Sequence, residues 1–246
     1  MNTSNKMSAG GNLVGAMLQP EEMRPATGWR QSRWLAFVEF AIVGLIFIGD
    51  HYHLVPISKT PFLLVLGWIS LRVRGLKWKD VGFARNRSWG MMLALGFGGG
   101  LILEVIQLFV TQPLVARITG KQPDLSDFRM LQGNVKYALL GVALSWTLAA
   151  FGEELVWRGY LMNRAADLGR GSRFAWIFSL LLVSAVFGSS HSDQGLTGQI
   201  IEGVAGFFLG LMYLRSGRNL AVPIVAHGAC DTLDMVLLFF GRYPGT

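Results

Sequence analysis

The chain has 246 residues, of which 52% are hydrophobic and only 15% charged, well under the roughly 25% charged of an average soluble domain. Its net charge of +7 would suit a nucleic-acid binder, but the basic residues lie between long apolar runs, as in loops facing an anionic leaflet, and no groove-binding motif accompanies them. The apolar residues come in runs without two-residue alternation, which excludes a β-barrel and predicts an all-α, polytopic membrane bundle of about seven or eight spans. The single cysteine, Cys230, excludes a disulfide or a thiolate metal centre and reads as a small core residue.

Residues 1–33 are polar and lack an apolar core of signal-peptide length, so they read as a flexible cytoplasmic tail. The remainder, 34–246, reads as one membrane domain without repeats. Arg24, Arg30 and Arg33 precede a first span, Trp34 to Ile48, and Trp29 and Trp34 suit the interfacial belt. His51 and His53 follow in a short loop; two residues apart, they would diverge on a helix and are expected to be loop residues, not ligands. Pro61 to Leu71 is short for a crossing unless Arg72 and Arg74 snorkel. The basic stretch from Arg72 to Arg87 is expected on the cytoplasmic side.

A third run, Trp89 to Val110, has glycines at 96 and 98–100 for close helix contact and one acid, Glu104, that either hydrogen-bonds within the bundle or lines a polar cavity. The polar stretch from Gln112 to Asn134 is expected to be an external loop. A fourth run, Tyr137 to Ala150, leads into Glu153 and Glu154. Leu155 to Arg173, with interleaved arginines and aromatics, reads either as an amphipathic segment on the membrane surface or as a continuation of the fourth span. A fifth run, Phe174 to Phe187, ends at His191. A sixth, Ile200 to Leu214, carries Glu202, and the seventh, Leu220 to Phe240, carries His227, Asp231 and Asp234.

The second half thus brings ionisable groups into three apolar stretches. Glu154 and Arg158 are four apart and face each other on a helix, as do His227 and Asp231. Taken alone, Glu154 and Arg158 could be an ordinary pair on a surface helix. Burying each such group without a partner costs several kcal/mol (order of magnitude), so the three stretches are expected to satisfy one another in one polar cavity. A carboxylate there can act as a general base on water, and histidines can orient that water, bind a metal or donate to an oxyanion. No serine or cysteine stands in an activating motif, and the His-Glu-x-x-His zinc-protease signature is absent. The set therefore points to hydrolysis by activated water, with or without a metal ion.

Glu153-Glu154-x-x-x-Arg158, Phe187-x-x-x-His191 and His227-x-x-x-Asp231, in this order, resemble the three motifs of the CPBP family, the CAAX proteases and bacteriocin-processing proteins also called Abi. Gly152 to Leu161, Gly206 to Gly217 and Pro223 to His227 are similar to the flanking text, and the resemblance covers about 135–240. It implies an intramembrane endopeptidase acting on membrane-embedded or lipidated, including prenylated, proteins or peptides. It also implies roles. Glu153 would activate water and His191 position it. His227 and Asp231 would stabilise the oxyanion or bind a metal, while Glu154 and Arg158 would support the helix. A divalent ion, Zn²⁺ first, would take its ligands from Glu153, His191, His227 and Asp231. The prenyl-protein branch typically has Asn where this chain has Asp231. An ionised Asp cannot donate a hydrogen bond but ligates metal better, which shifts the expectation toward a metal.

The expected location is the plasma membrane of a prokaryote, with the N-terminus cytoplasmic. Two rivals remain open at this point. One is a catalytically silent scaffold or bacteriocin-immunity protein using the same cavity. The other, a transporter, predicts inverted repeats that the sequence lacks. Simple alternation of spans also sets a conflict, since it puts Glu153 and His191 at opposite faces of roughly 30 Å of hydrocarbon. Either span four continues past Arg158 or helix five is displaced.

Overall fold

The computed structural model describes residues 32–56, 58–83 and 88–244. The expected tail apart from Ser32 and Arg33, with Trp29, Arg24 and Arg30, and the end of the basic stretch at Arg87 lie outside the described residues. Among those described, five helices are long and apolar enough to cross a membrane: α1 (Arg33–His51), α3 (Trp89–Thr119), α4 (Val135–Leu168), α6 (Ser192–Arg215, opening in a 3-10 turn) and α7 (Ala221–Phe239). Two shorter apolar helices, α2 (Thr60–Val73) and α5 (Arg173–Ser189), join them. The chain is a polytopic membrane helical bundle and an integral membrane protein; among the described residues five helices have the length of a full span and two are shorter, against the seven or eight spans that hydropathy suggests.

Helix starts follow local side-chain chemistry. Ser32 Oγ accepts from the Trp34 N–H at the head of α1, Asn134 Oδ1 from Tyr137 at the head of α4, and Ser172 Oγ from Ala175 at the head of α5. Pro61 occupies the first turn of α2, where its missing N–H costs nothing.

Two boundaries differ from the hydropathy reading. Gln112–Thr119 is helical, reached from α3 through a π turn at Gln107–Thr111, so the expected external loop begins eight residues later. α4 is the larger departure. It runs 34 residues without a break, and Leu155 to Ala166 are all buried. The surface-segment alternative for 155–173 therefore fails: Trp157, Arg158, Tyr160 and Arg164 point into protein on every side of the helix. Both halves of α4 around the two acids are wound as π-helix, Ser145–Glu153 and Leu155–Leu161, a geometry found at functional sites more often than elsewhere.

The bundle is apolar outside and polar at selected points within. Phe109 and Phe174 are 75% and 84% exposed, whereas Glu39, Glu104, Glu154 and Arg158 are buried, the arrangement that a lipid solvent favours. Glycines set the closest crossings. A Cβ on Gly96 would lie 2.6 Å from Val225 Cβ, and one on Gly100 would run into the backbone of Ala226, which locks α3 against α7. Cys230 Sγ donates to the Gly100 carbonyl at 3.1 Å, buried in that contact as expected. Glu104 is buried beside Gln107 and Asp234. His51 closes α1 and His53 lies in the turn after it, with φ of 55°.

Candidate active site

Because α4 continues past Arg158, Glu154 lies about midway along a rod of roughly 51 Å, at 1.5 Å per residue. α5 enters from the end where α4 leaves. Phe187, fifteenth residue of α5, thus reaches the depth of Glu154, and the conflict over spans disappears. The Arg158 guanidinium lies 5.0 Å from the Phe187 ring centroid, and that ring meets Trp157 edge-on at 5.2 Å.

Glu154 is the node. Its Oε1 accepts from Arg158 Nη1 and lies 2.8 Å from His227 Nδ1. Arg158 Nη2 donates to the Gly206 carbonyl at 2.8 Å, which ties α4 to α6. The side chains of Glu154 and Arg158 are 0% and 1% exposed. Buried charges of this kind persist only when paired and hydrogen-bonded. On α7, Asp231 Oδ1 lies 3.5 Å from His227 Nε2, so carboxylates flank both nitrogens of that ring. Trp146 on α4 packs on Gly228, where a Cβ would come within 2.7 Å of the indole, and donates from Nε1 to Thr232 Oγ1 at 3.0 Å. These contacts fix α7 in rotation, so that His227 faces Glu154.

Of the expected residues, Glu154, Arg158, Phe187, His227 and Asp231 form one chain of contacts. His191 joins through Phe187: the rings are 4.9 Å apart, and His191 Nδ1 lies 2.9 Å from the Phe187 carbonyl. Glu153 is half-buried beside them and acts electrostatically on Arg158, His227 and Asp231. Among the described residues no group of three or more His, Cys, Asp or Glu side chains is arranged to hold a metal ion. The Nδ1 atoms of His227 and His191 are turned to Glu154 and to a backbone carbonyl.

The sequence reading missed a second buried network on the other side of α4. Glu39 accepts from Arg74, from Ser70 Oγ at 3.0 Å and from Tyr160 OH at 3.4 Å. Arg74, expected to snorkel, is buried in this network instead. The one signal for it was an acid, Glu39, inside the first apolar run. Gly206 lay in the quoted flanking text, but only its carbonyl matters, and no side-chain motif reveals a carbonyl.

No curated protein and no solved structure matches the chain. Residues 135–233 match the sequence model of a family described as Rce1-like, Type II CAAX prenyl endopeptidase Rce1-like. That stretch holds Glu153, Glu154, Arg158, Phe187, His191, Gly206, His227 and Asp231, and residues 135–233 are a domain of this CPBP family of CAAX endopeptidases.

Proposed function

We propose that the protein is an intramembrane endopeptidase that hydrolyses a peptide bond of a membrane-anchored substrate, prenylated proteins included, by glutamate-activated water. The family supports a peptidase. The observation that carries the finer reading is the Glu154–Arg158–His227 cluster, bonded within the bundle while Glu153 beside it accepts no hydrogen bond from any of the described residues.

In this mechanism Glu153 takes a proton from water as the water oxygen bonds to the scissile carbonyl carbon. His191, held through its Nδ1, orients that water with the other ring edge. The developing oxyanion is met by His227 Nε2, which Asp231 engages only loosely at 3.5 Å. The C–N bond then breaks, and the leaving nitrogen takes its proton from Glu153. Glu154 and Arg158 act by positioning, because Glu154 sets the ring plane of His227. No step of this mechanism passes through a metal. Charge placement supports an orientation with the Arg72, Arg170 and Arg215 end in the cytoplasm.

The test is cleavage in proteoliposomes of a farnesylated peptide and of an unmodified membrane-anchored peptide. Glu153→Gln and His227→Ala should abolish cutting while the helical spectrum is kept. If both folded variants cut at the wild-type rate, the catalytic assignment fails. If the folded wild type cuts neither peptide while carrying out a binding role that both variants also perform, the scaffold reading replaces it.

A further inference from the structure

At the end of the bundle where α2, α4 and α6 finish, the 3-10 turn Trp78–Val81 docks against the link between α6 and α7. The Leu220 N–H donates to the Gly82 carbonyl at 3.0 Å, and a Cβ on Gly82 would collide with the Arg218 carbonyl. Between the two segments lies a cavity of about 210 Å³, lined among others by Lys79, Asp80, Ser216, Arg218 and Asn219. Both walls are helix-end turns, and Arg218 lies over the Trp176 ring (5.3 Å) in the first turn of α5, a pairing of cation and aromatic that suits headgroup depth. The charge of this end is one-sided. Arg72, Lys77, Lys79, Arg170, Arg215 and Arg218 face Asp80 and Asp167, and the Asp80 carboxylate is engaged by the Lys77 N–H at 2.8 Å. Asp50, Lys59, Lys121, Asp124, Asp127 and Arg129 at the opposite end are mixed in sign. Arg218 also holds a left-handed backbone, φ 61°, which costs a non-glycine residue on the order of 1–2 kcal/mol.

We propose that this cavity binds the phosphate of an anionic phospholipid headgroup, with Lys79 and Arg218 as its cationic ligands. A basic pocket between helix ends at headgroup depth has the chemistry for it. The same segments reach the catalytic helix. Tyr213 OH donates to the Val81 carbonyl at 2.9 Å, and the Asn163 amide donates to the Tyr213 hydroxyl and to the carbonyls of Arg158 and Gly159, each at 3.0 Å. A bound headgroup would therefore stiffen the backbone that carries Arg158. The proposal is independent of the peptidase reading.

The test uses the full chain in nanodiscs of phosphatidylglycerol and phosphatidylcholine in equal parts, with retained lipid counted by native mass spectrometry and unfolding followed by heat. Wild type should retain phosphatidylglycerol selectively. Lys79→Gln and Arg218→Gln should each weaken that retention about fivefold. Lys79 is exposed, so Lys79→Gln keeps the test decisive if the Arg218 variant does not fold. Equal retention of the two lipids, or retention unchanged in Lys79→Gln, overturns the site. Inorganic phosphate that stabilises as well as phosphatidylglycerol at the same concentration overturns the lipid as its source.

Discussion

Replacing Arg158 with methionine removes one half of a buried ion pair and keeps much of the side-chain volume. The guanidinium is 1% exposed, and its losses can be followed one by one. Glu154 loses its cationic partner, the Gly206 carbonyl loses a donor at 2.8 Å, and the Phe187 ring loses the cation 5.0 Å from its centre. Breaking a buried pair by removing one partner costs about 3–5 kcal/mol, mostly because the remaining charge is stranded. Replacing both partners is expected to cost much less, so Arg158→Met with Glu154→Gln should recover about 2–3 kcal/mol of the single-variant loss. The assay is reversible unfolding in mixed micelles, run as a double-mutant cycle. Cleavage should be lost in both variants, since the Glu154 carboxylate that positions His227 loses its Arg158 clamp in the single variant and is itself replaced in the double. An Arg158→Met variant within about 1 kcal/mol of wild type, or a double variant no more stable than the single one, would refute the view that Glu154 depends on this cation.

Glu153→Gln should lower cleavage by about 10²–10⁴-fold, with an unfolding midpoint close to wild type, because no hydrogen bond among the described residues is lost; both are read from one preparation. Asp231→Asn should keep cleavage within about tenfold of wild type, since an amide can still engage His227, and wild-type activity should survive a chelator; loss of activity in chelator with recovery on one divalent ion would overturn the metal-free mechanism. Arg74→Met should destabilise by about 3–5 kcal/mol by stranding Glu39, whereas Tyr160→Phe, which gives up a 3.4 Å bond, should cost no more than about 1 kcal/mol by the same unfolding assay. Gly100→Ala should cost about 1–3 kcal/mol by pushing α3 away from Ala226.

Legibility followed distance along the chain. Glu154 with Arg158 and His227 with Asp231 are four-residue pairs, so helical geometry alone puts each pair on one face, and both pairs form contacts in the bundle. Glu39 finds Arg74 and Tyr160 across 35 and 121 residues. No periodicity connects such positions, and two apolar runs each carrying one charged residue do not say which run is the neighbour. Hydropathy misjudged α4 for a related reason. It counts polar side chains as exposed, yet Arg158, Asn163 and Arg164 are buried because partners satisfy them, and that raises no apolar signal.

By itself the sequence determined that the chain lives in a bilayer, where its helices begin, and which ionisable side chains share a helix face, because composition, capping and i,i+4 spacing travel with the chain. Depth in the membrane and the choice of partners were left to the tertiary structure. The unbroken 34-residue α4, and the glycine contacts that rotate α7 toward it, bring Glu154 and His227 to 2.8 Å. Packing between helices distant in sequence sets that distance.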